Sequence, residues 1–167
     1  KTLTISKEEL IKRCSFTDSA LELLNSFEKR DKSVILTMGH FGNWEWSGSS
    51  FSIQGQQQLN VIYHPLTNKH FDGLLYHMRS RFGTGLIPMD SVFKEMVKSR
   101  HTTTITGFIA DQTPPPENAY WMTFLNQDTP VFKGTELIAK KMNYPVLYAT
   151  VKRVKRGYYK IFIEELI

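Results

Sequence analysis

Val34-Ile35-Leu36-Thr37-Met38-Gly39-His40-Phe41-Gly42-Asn43-Trp44-Glu45 is the stretch on which the fold turns. Its first half is apolar without alternation, as a strand buried on both faces reads. Its second half reads as a helix start near Asn43, with Asn43 as cap and Glu45 in the first turn. A strand therefore hands over to a helix, with His40 and Glu45 at the junction. Open α/β sheets bind their ligands at the carboxyl ends of strands. A histidine oriented by a carboxylate is the basic unit of general-base catalysis. The expectation is that Gly39 and Gly42 fold the backbone through φ > 0, so that both side chains meet at one mouth. On its own the spacing favours a plainer account, in which Asn43 caps the helix and Glu45 complements its dipole.

Outward from this junction, strands and helices alternate. Residues 6 to 30 read as helix, with Ser6 and Glu9 as a capping box and a restart at Thr17-Asp18. Beyond the junction, helix is expected to Ile53, strand from Leu59 to Tyr63, and helix from Asn68 to Phe82, stopped by Gly83. A short strand at Leu86-Ile87-Pro88, a helix from Val92 to Ser99 and a β-branched strand from Thr102 to Ala110 follow. Residues 113 to 120 read as a loop built on Pro114-Pro115-Pro116. Helix returns from Lys133 to Met142, and strands Val146 to Arg153 and Tyr158 to Glu164 form a hairpin turned at Lys155-Arg156-Gly157. The order predicts an α/β domain: a mostly parallel, mixed sheet flanked by helices on both faces.

With 167 residues, one domain is the expectation. The balance of 21 Lys+Arg against 16 Asp+Glu gives a formal charge of +5, which suits an acidic partner such as an anionic lipid surface, a phosphorylated substrate or an acidic protein. Cys14 is the only cysteine, so no internal disulfide and no cysteine-based zinc site can form. No run of 18 apolar residues is present to span a bilayer. The start, Lys1-Thr2-Leu3-Thr4, has neither an apolar signal core nor a Met, so a trimmed piece is expected, with any anchoring segment outside it.

Three further patches fall at element ends. Arg79-Ser80-Arg81-Phe82-Gly83 closes the second long helix, where two arginines can clamp a phosphate or simply complement a helix C-terminus. Asp111-Gln112 follows the third main strand, to position a substrate or to form a turn. Phe124-Leu125-Asn126 precedes Thr129-Pro130-Val131-Phe132-Lys133-Gly134, a loop ending at a helix N-terminus that can offer N–H groups to an anion. The aromatics Phe41, Trp44, Trp46 and Phe51 serve equally as a groove for an apolar chain or as core. His64, His70, His77 and His101 lack ligand spacing for a metal.

Taken in order, His40-x4-Glu45, Arg79-x-Arg81-x-Gly83, Asp111-Gln112 and Thr129-Pro130-Val131-Phe132-Lys133-Gly134 before Ala139-Lys140-Lys141 resemble the late acyltransferases of bacterial lipid A biosynthesis. These sit within the glycerolipid and lysophospholipid acyltransferases marked by H-x4-D/E. The resemblance spans Val34 to Val151. It departs where Glu45 stands for the commoner Asp, where Phe124-Leu125-Asn126 stands for Phe-Phe-Gly, and in lacking the family's N-terminal hydrophobic anchor.

The resemblance implies a glycerol-3-phosphate acyltransferase-like fold and acyl transfer from acyl carrier protein or acyl-CoA to a hydroxyl of an anionic lipid. The alternatives are a lysophospholipid or aminoacyl lipid acceptor, or a lipid-binding domain without catalysis. It implies His40 as base and Glu45 as the carboxylate that orients it. Arg79, Arg81, Asp111, Gln112, Lys133 and Gly134 would bind substrate, and Gly42 and Asn43, or Arg81, would face the oxyanion. No metal or cofactor and no nucleic-acid partner are implied. Peripheral contact at the cytoplasmic face of the bacterial inner membrane is expected, with Trp121 and the 114–120 loop dipping into the interface.

Overall fold

The computed structural model describes residues 2–166. In chain order the elements are α1 (Lys7–Arg13), β1 (Cys14–Phe16), α2 (Asp18–Glu28), β2 (Val34–Met38), α3 (Trp44–Gln54), β3 (Gln58–Tyr63), α4 (Lys69–Ser80), β4 (Gly85–Pro88), α5 (Val92–Lys98) and β5 (Thr104–Ile109). A 3-10 turn at Pro116–Asn118 leads to β6 (Tyr120–Phe124), β7 (Gln127–Val131), α6 (Gly134–Met142), β8 (Val146–Lys155) and β9 (Tyr158–Glu165).

One seven-stranded sheet runs in the order β1-β9-β8-β2-β5-β3-β4. Every neighbouring pair in it is parallel except β8–β9, so the sheet is mostly parallel and mixed, as the alternation predicts. β2 lies at its centre because both of its faces are apolar. Val34 and Leu36 join Leu24, Phe27 and Phe51 of α2 and α3 on one side. Ile35 joins Val92, Met96 and Ala139 of α5 and α6 on the other. Each fully buried side chain of this kind stabilises by about 1.5–3 kcal/mol.

The chain runs outward from β2 to β3 and β4, then returns to insert β5 between β2 and β3 before crossing to β8. That reversal opens a crevice at the carboxyl ends of β2 and β5, where an open α/β sheet binds its ligand.

Two elements differ from the sequence expectation. The stretch read as one interrupted helix contains a strand, β1, that pairs in parallel with β9 at the sheet edge. Its Cys14 is fully buried, and burial pushes the thiol up to about 12, outweighing the Ser50 hydroxyl beside it. The stretch read as a loop before α6 is instead the antiparallel pair β6–β7, turned at Leu125 and Asn126 with φ of 51° and 61°. These two left-handed positions match the twist of a two-residue hairpin turn. Among the described residues, no helix is long and apolar enough to cross a membrane.

Candidate active site

The parallel register of β2 and β5 builds the centre of the site. Met38 stands opposite Ile109, and Ala110 N donates to Met38 O at 3.2 Å. Two residues further along each strand exit, His40 faces Asp111. Asp111 grips it at two points: Oδ2 accepts the His40 backbone N–H at 2.7 Å, and Oδ1 lies 2.7 Å from Nδ1 of the ring. Partial burial works to raise the Asp111 pKa, but the ring and backbone donors of His40 outweigh it and hold the carboxyl below its ordinary value. An ionised Asp111 only accepts, so Nδ1 carries the proton and donates, leaving Nε2 with its lone pair.

The glycine before the histidine exists for this contact. A Cβ on Gly39 would come within 3.0 Å of Asp111 Oδ2. Gly39 does not take a positive φ, contrary to the sequence expectation; Gly42 does, at 65°. A Cβ on Gly42 would lie 2.6 Å from the Val151 carbonyl oxygen. The loop is thus pressed against β8 at one glycine and against Asp111 at the other.

Helix α3 starts where the sequence places it. Asn43 caps it, Oδ1 accepting from Trp46 N at 3.2 Å. Trp44 meets the His40 ring edge-to-face, with centroids 4.9 Å apart. Glu45 is paired with an arginine. Its carboxylate is forked by Arg79 of α4, with Nη2 to Oε1 at 2.6 Å and Nε to both oxygens at 3.2 Å. The Arg79 guanidinium also lies over the Trp44 ring at 5.3 Å. The expected pairing of His40 with Glu45 is therefore corrected. The carboxylate on the imidazole is Asp111, and Glu45 is the partner of Arg79.

The expected clamp of two arginines is corrected as well. Arg81 donates to the carbonyls of Thr2 at 3.0 Å and Ile5 at 2.9 Å, and its guanidinium stacks on Phe82. It ties the N-terminal segment to the end of α4, with Arg79 on the other side.

A cavity of about 460 Å³ opens beside this centre. That volume falls within the roughly 300–1,000 Å³ of small-molecule sites. His40, Trp44, Glu45, Arg79, Gln112 and Gly134 lie on its wall, and the rest of the lining is mainly apolar. Asp111 stands off the wall, behind His40, and Arg81, Lys133, Gly42 and Asn43 are not on it. Of the four aromatics considered, Trp44 lines the cavity, Trp46 is core, Phe51 is core that reaches the wall, and Phe41 projects outward. Sequence reasoning missed Gly48. It interrupts α3 where Ala would be better by about 0.5–1 kcal/mol, and an added Cβ there would meet nothing within 4 Å. It also missed Tyr63 and His64 at the β3 exit, both on the wall. A glycine inside a helical pattern was the available signal for the first.

The mainly apolar cavity, with a histidine and an arginine on its wall, suits an acyl chain with a reacting carbonyl. The family model described as bacterial lipid A biosynthesis acyltransferase matches residues 1–165. The chain belongs to that family. No curated protein matches it. The protein is thus an acyltransferase of lipid A biosynthesis, which takes an acyl donor and a lipid acceptor.

Proposed function

We propose that this acyltransferase moves a fatty acyl chain from a thioester, on acyl carrier protein or CoA, to a hydroxyl of a lipid A precursor, with His40 as general base. The observation that carries this is the imidazole clamped by Asp111 on the wall of a mainly apolar cavity. Nε2 takes the proton of the acceptor hydroxyl as its oxygen bonds to the thioester carbonyl carbon. The tetrahedral oxyanion collapses with cleavage of the C–S bond. The imidazolium then returns its proton to the departing thiolate, leaving an ester, a free thiol and neutral His40. Asp111 holds the tautomer and stabilises the imidazolium.

Glu45 acts one step removed, by fixing Arg79. The guanidinium has five N–H groups and spends only part of them on Glu45. The remainder face the developing oxyanion or an acceptor phosphate. Gln112 and Gly134 contact substrate at the wall, with Lys133 beside them for the phosphorylated acceptor or the acidic carrier. The proposal places this reaction at the cytoplasmic face of the bacterial inner membrane, with the protein in peripheral contact.

The test is transfer from acyl carrier protein and from acyl-CoA to a tetra-acylated lipid A precursor, with the protein and its His40→Ala variant side by side. A fall of about 10²-fold or more in the variant is expected. Acylation of a lysophospholipid or aminoacyl lipid instead would overturn the acceptor. Lipid binding without transfer, indifferent to His40→Ala, would overturn the chemistry.

A further inference from the structure

The β6–β7 ribbon is a sheet of its own, paired to no other strand among the described residues. A lone two-stranded hairpin is at best marginal in water. This one leaves Tyr120, Trp121, Met122 and Phe124 exposed, and its turn residue Leu125 is 76% exposed. Side chains alternate along a strand, so Tyr120, Met122 and Phe124 share one face and Trp121 projects from the other. The first face is therefore aromatic and apolar, and the second carries Trp121 and Pro130 beside Thr123 and Asp128.

A protein groove would cover one face, and an added strand would use an edge. Pro130 sits opposite Trp121 on β7 and has no N–H to offer a further strand. A lipid interface accepts the apolar face and Trp121 while Asp128 stays in the hydrated headgroup layer. Trp and Tyr are the side chains that settle at headgroup depth. The turn supports the same reading: Leu125 occupies a left-handed position that Asn or Gly fills without strain, and it puts an apolar side chain at the tip. The charge also fits an anionic surface. Lys133 follows the ribbon at the start of the next helix, in a chain of net charge +5. The ribbon leads straight to the cavity. Phe132 follows β7, is half-exposed and lines the wall, as do the exposed Leu66 and Met89.

We propose that the β6–β7 hairpin docks the protein on an anionic lipid bilayer, with the Trp121-to-Leu125 end in the interfacial region beside the cavity mouth. The unpaired outer edges of the ribbon need water, so insertion stops at the headgroups. The proposal deepens the acyltransferase reading and rests on it only for the purpose of docking, because binding is measured apart from transfer.

The test is co-sedimentation with vesicles of phosphatidylcholine, with and without phosphatidylglycerol, together with quenching of tryptophan fluorescence by brominated lipid. The protein should bind the anionic vesicles better, and its fluorescence should be quenched. Trp121→Ser should abolish the quenching, since Trp44 and Trp46 lie in the cavity wall and the core. The double variant Trp121→Ser, Leu125→Ser should lose about tenfold or more in partitioning. Val154→Ser, an exposed apolar site on β8, should bind as before. Unchanged partitioning of the double variant, or quenching that survives Trp121→Ser, would overturn the proposal. The double variant should still acylate a detergent-dispersed acceptor. A protein that docks through the hairpin but transfers nothing would sink the acyltransferase reading and leave docking intact.

Discussion

The strand exits of β2 and β5 and the β6–β7 ribbon are stabilised in opposite ways. At the exits the polar groups find partners within the fold: Asp111 takes two donors from His40, and Glu45 takes the fork of Arg79. His40 and Asp111 follow the central strands β2 and β5, and Glu45 and Arg79 stand on α3 and α4. On the ribbon the large apolar side chains stand exposed, and among the described residues no further strand pairs with it. The first region is preorganised by the protein alone, which catalysis requires. The second is completed only by its surroundings. Substitutions should therefore act on chemistry or folding at the exits, and on neither at the ribbon.

The sharpest break comes at His40. His40→Ala should lower transfer by about 10²-fold or more with the thermal midpoint little changed, read by activity and by calorimetry on one preparation. Asp111→Asn comes next, with a loss of about 10²-fold in kcat and a smaller change in KM, because the amide cannot hold the same tautomer. It carries a pH signature as well. A carboxyl whose folded pKa is depressed below 3.8 adds stability that is present above that value and lost as the pH falls through the folded value. The gap in midpoint between the protein and Asp111→Asn should thus be open at neutral pH and close below about pH 4.

Gly42→Ala should destabilise by about 2 kcal/mol in urea unfolding, since it combines a left-handed backbone with a Cβ 2.6 Å from the Val151 carbonyl. No loss of stability would show that the loop moves freely off β8. Glu45→Gln should cost about tenfold in transfer, through weaker charge-assisted positioning of Arg79, and should leave the His40 tautomer alone. The smallest effect belongs to the ribbon. Leu125→Ser should shift unfolding by less than about 0.5 kcal/mol. A large shift there would mean that the ribbon packs as part of the fold after all.

The parts legible in the sequence were those encoded locally. Val34 to Met38 announces a doubly buried strand by lacking alternation, and Asn43 announces a cap by its chemistry. The positions of His40 and Gln112 on one wall follow from the rule that strand ends face one crevice, and Glu45, Arg79 and Gly134 reach the same wall from helices α3, α4 and α6. The partner of His40 was not legible. It depends on β5 lying next to β2 in a register that carries residue 38 opposite 109 and so 40 opposite 111. No local pattern states that register, whereas Glu45 is near in sequence and draws the eye. β1 escaped notice because three residues between two helices are too few for periodicity, and only β9 makes them a strand. The hairpin escaped because Leu125-Asn126 lacks the Gly that usually marks a two-residue turn.

The central claim is that Asp111, and not Glu45, holds the His40 ring. Nitrogen-15 NMR of labelled histidine reads the tautomer of His40 directly. With His40 neutral, the protein should show Nδ1 protonated; Asp111→Asn should redistribute the tautomers and Glu45→Gln should not. A tautomer unmoved by Asp111→Asn but changed by Glu45→Gln would contradict the account and return Glu45 to the imidazole.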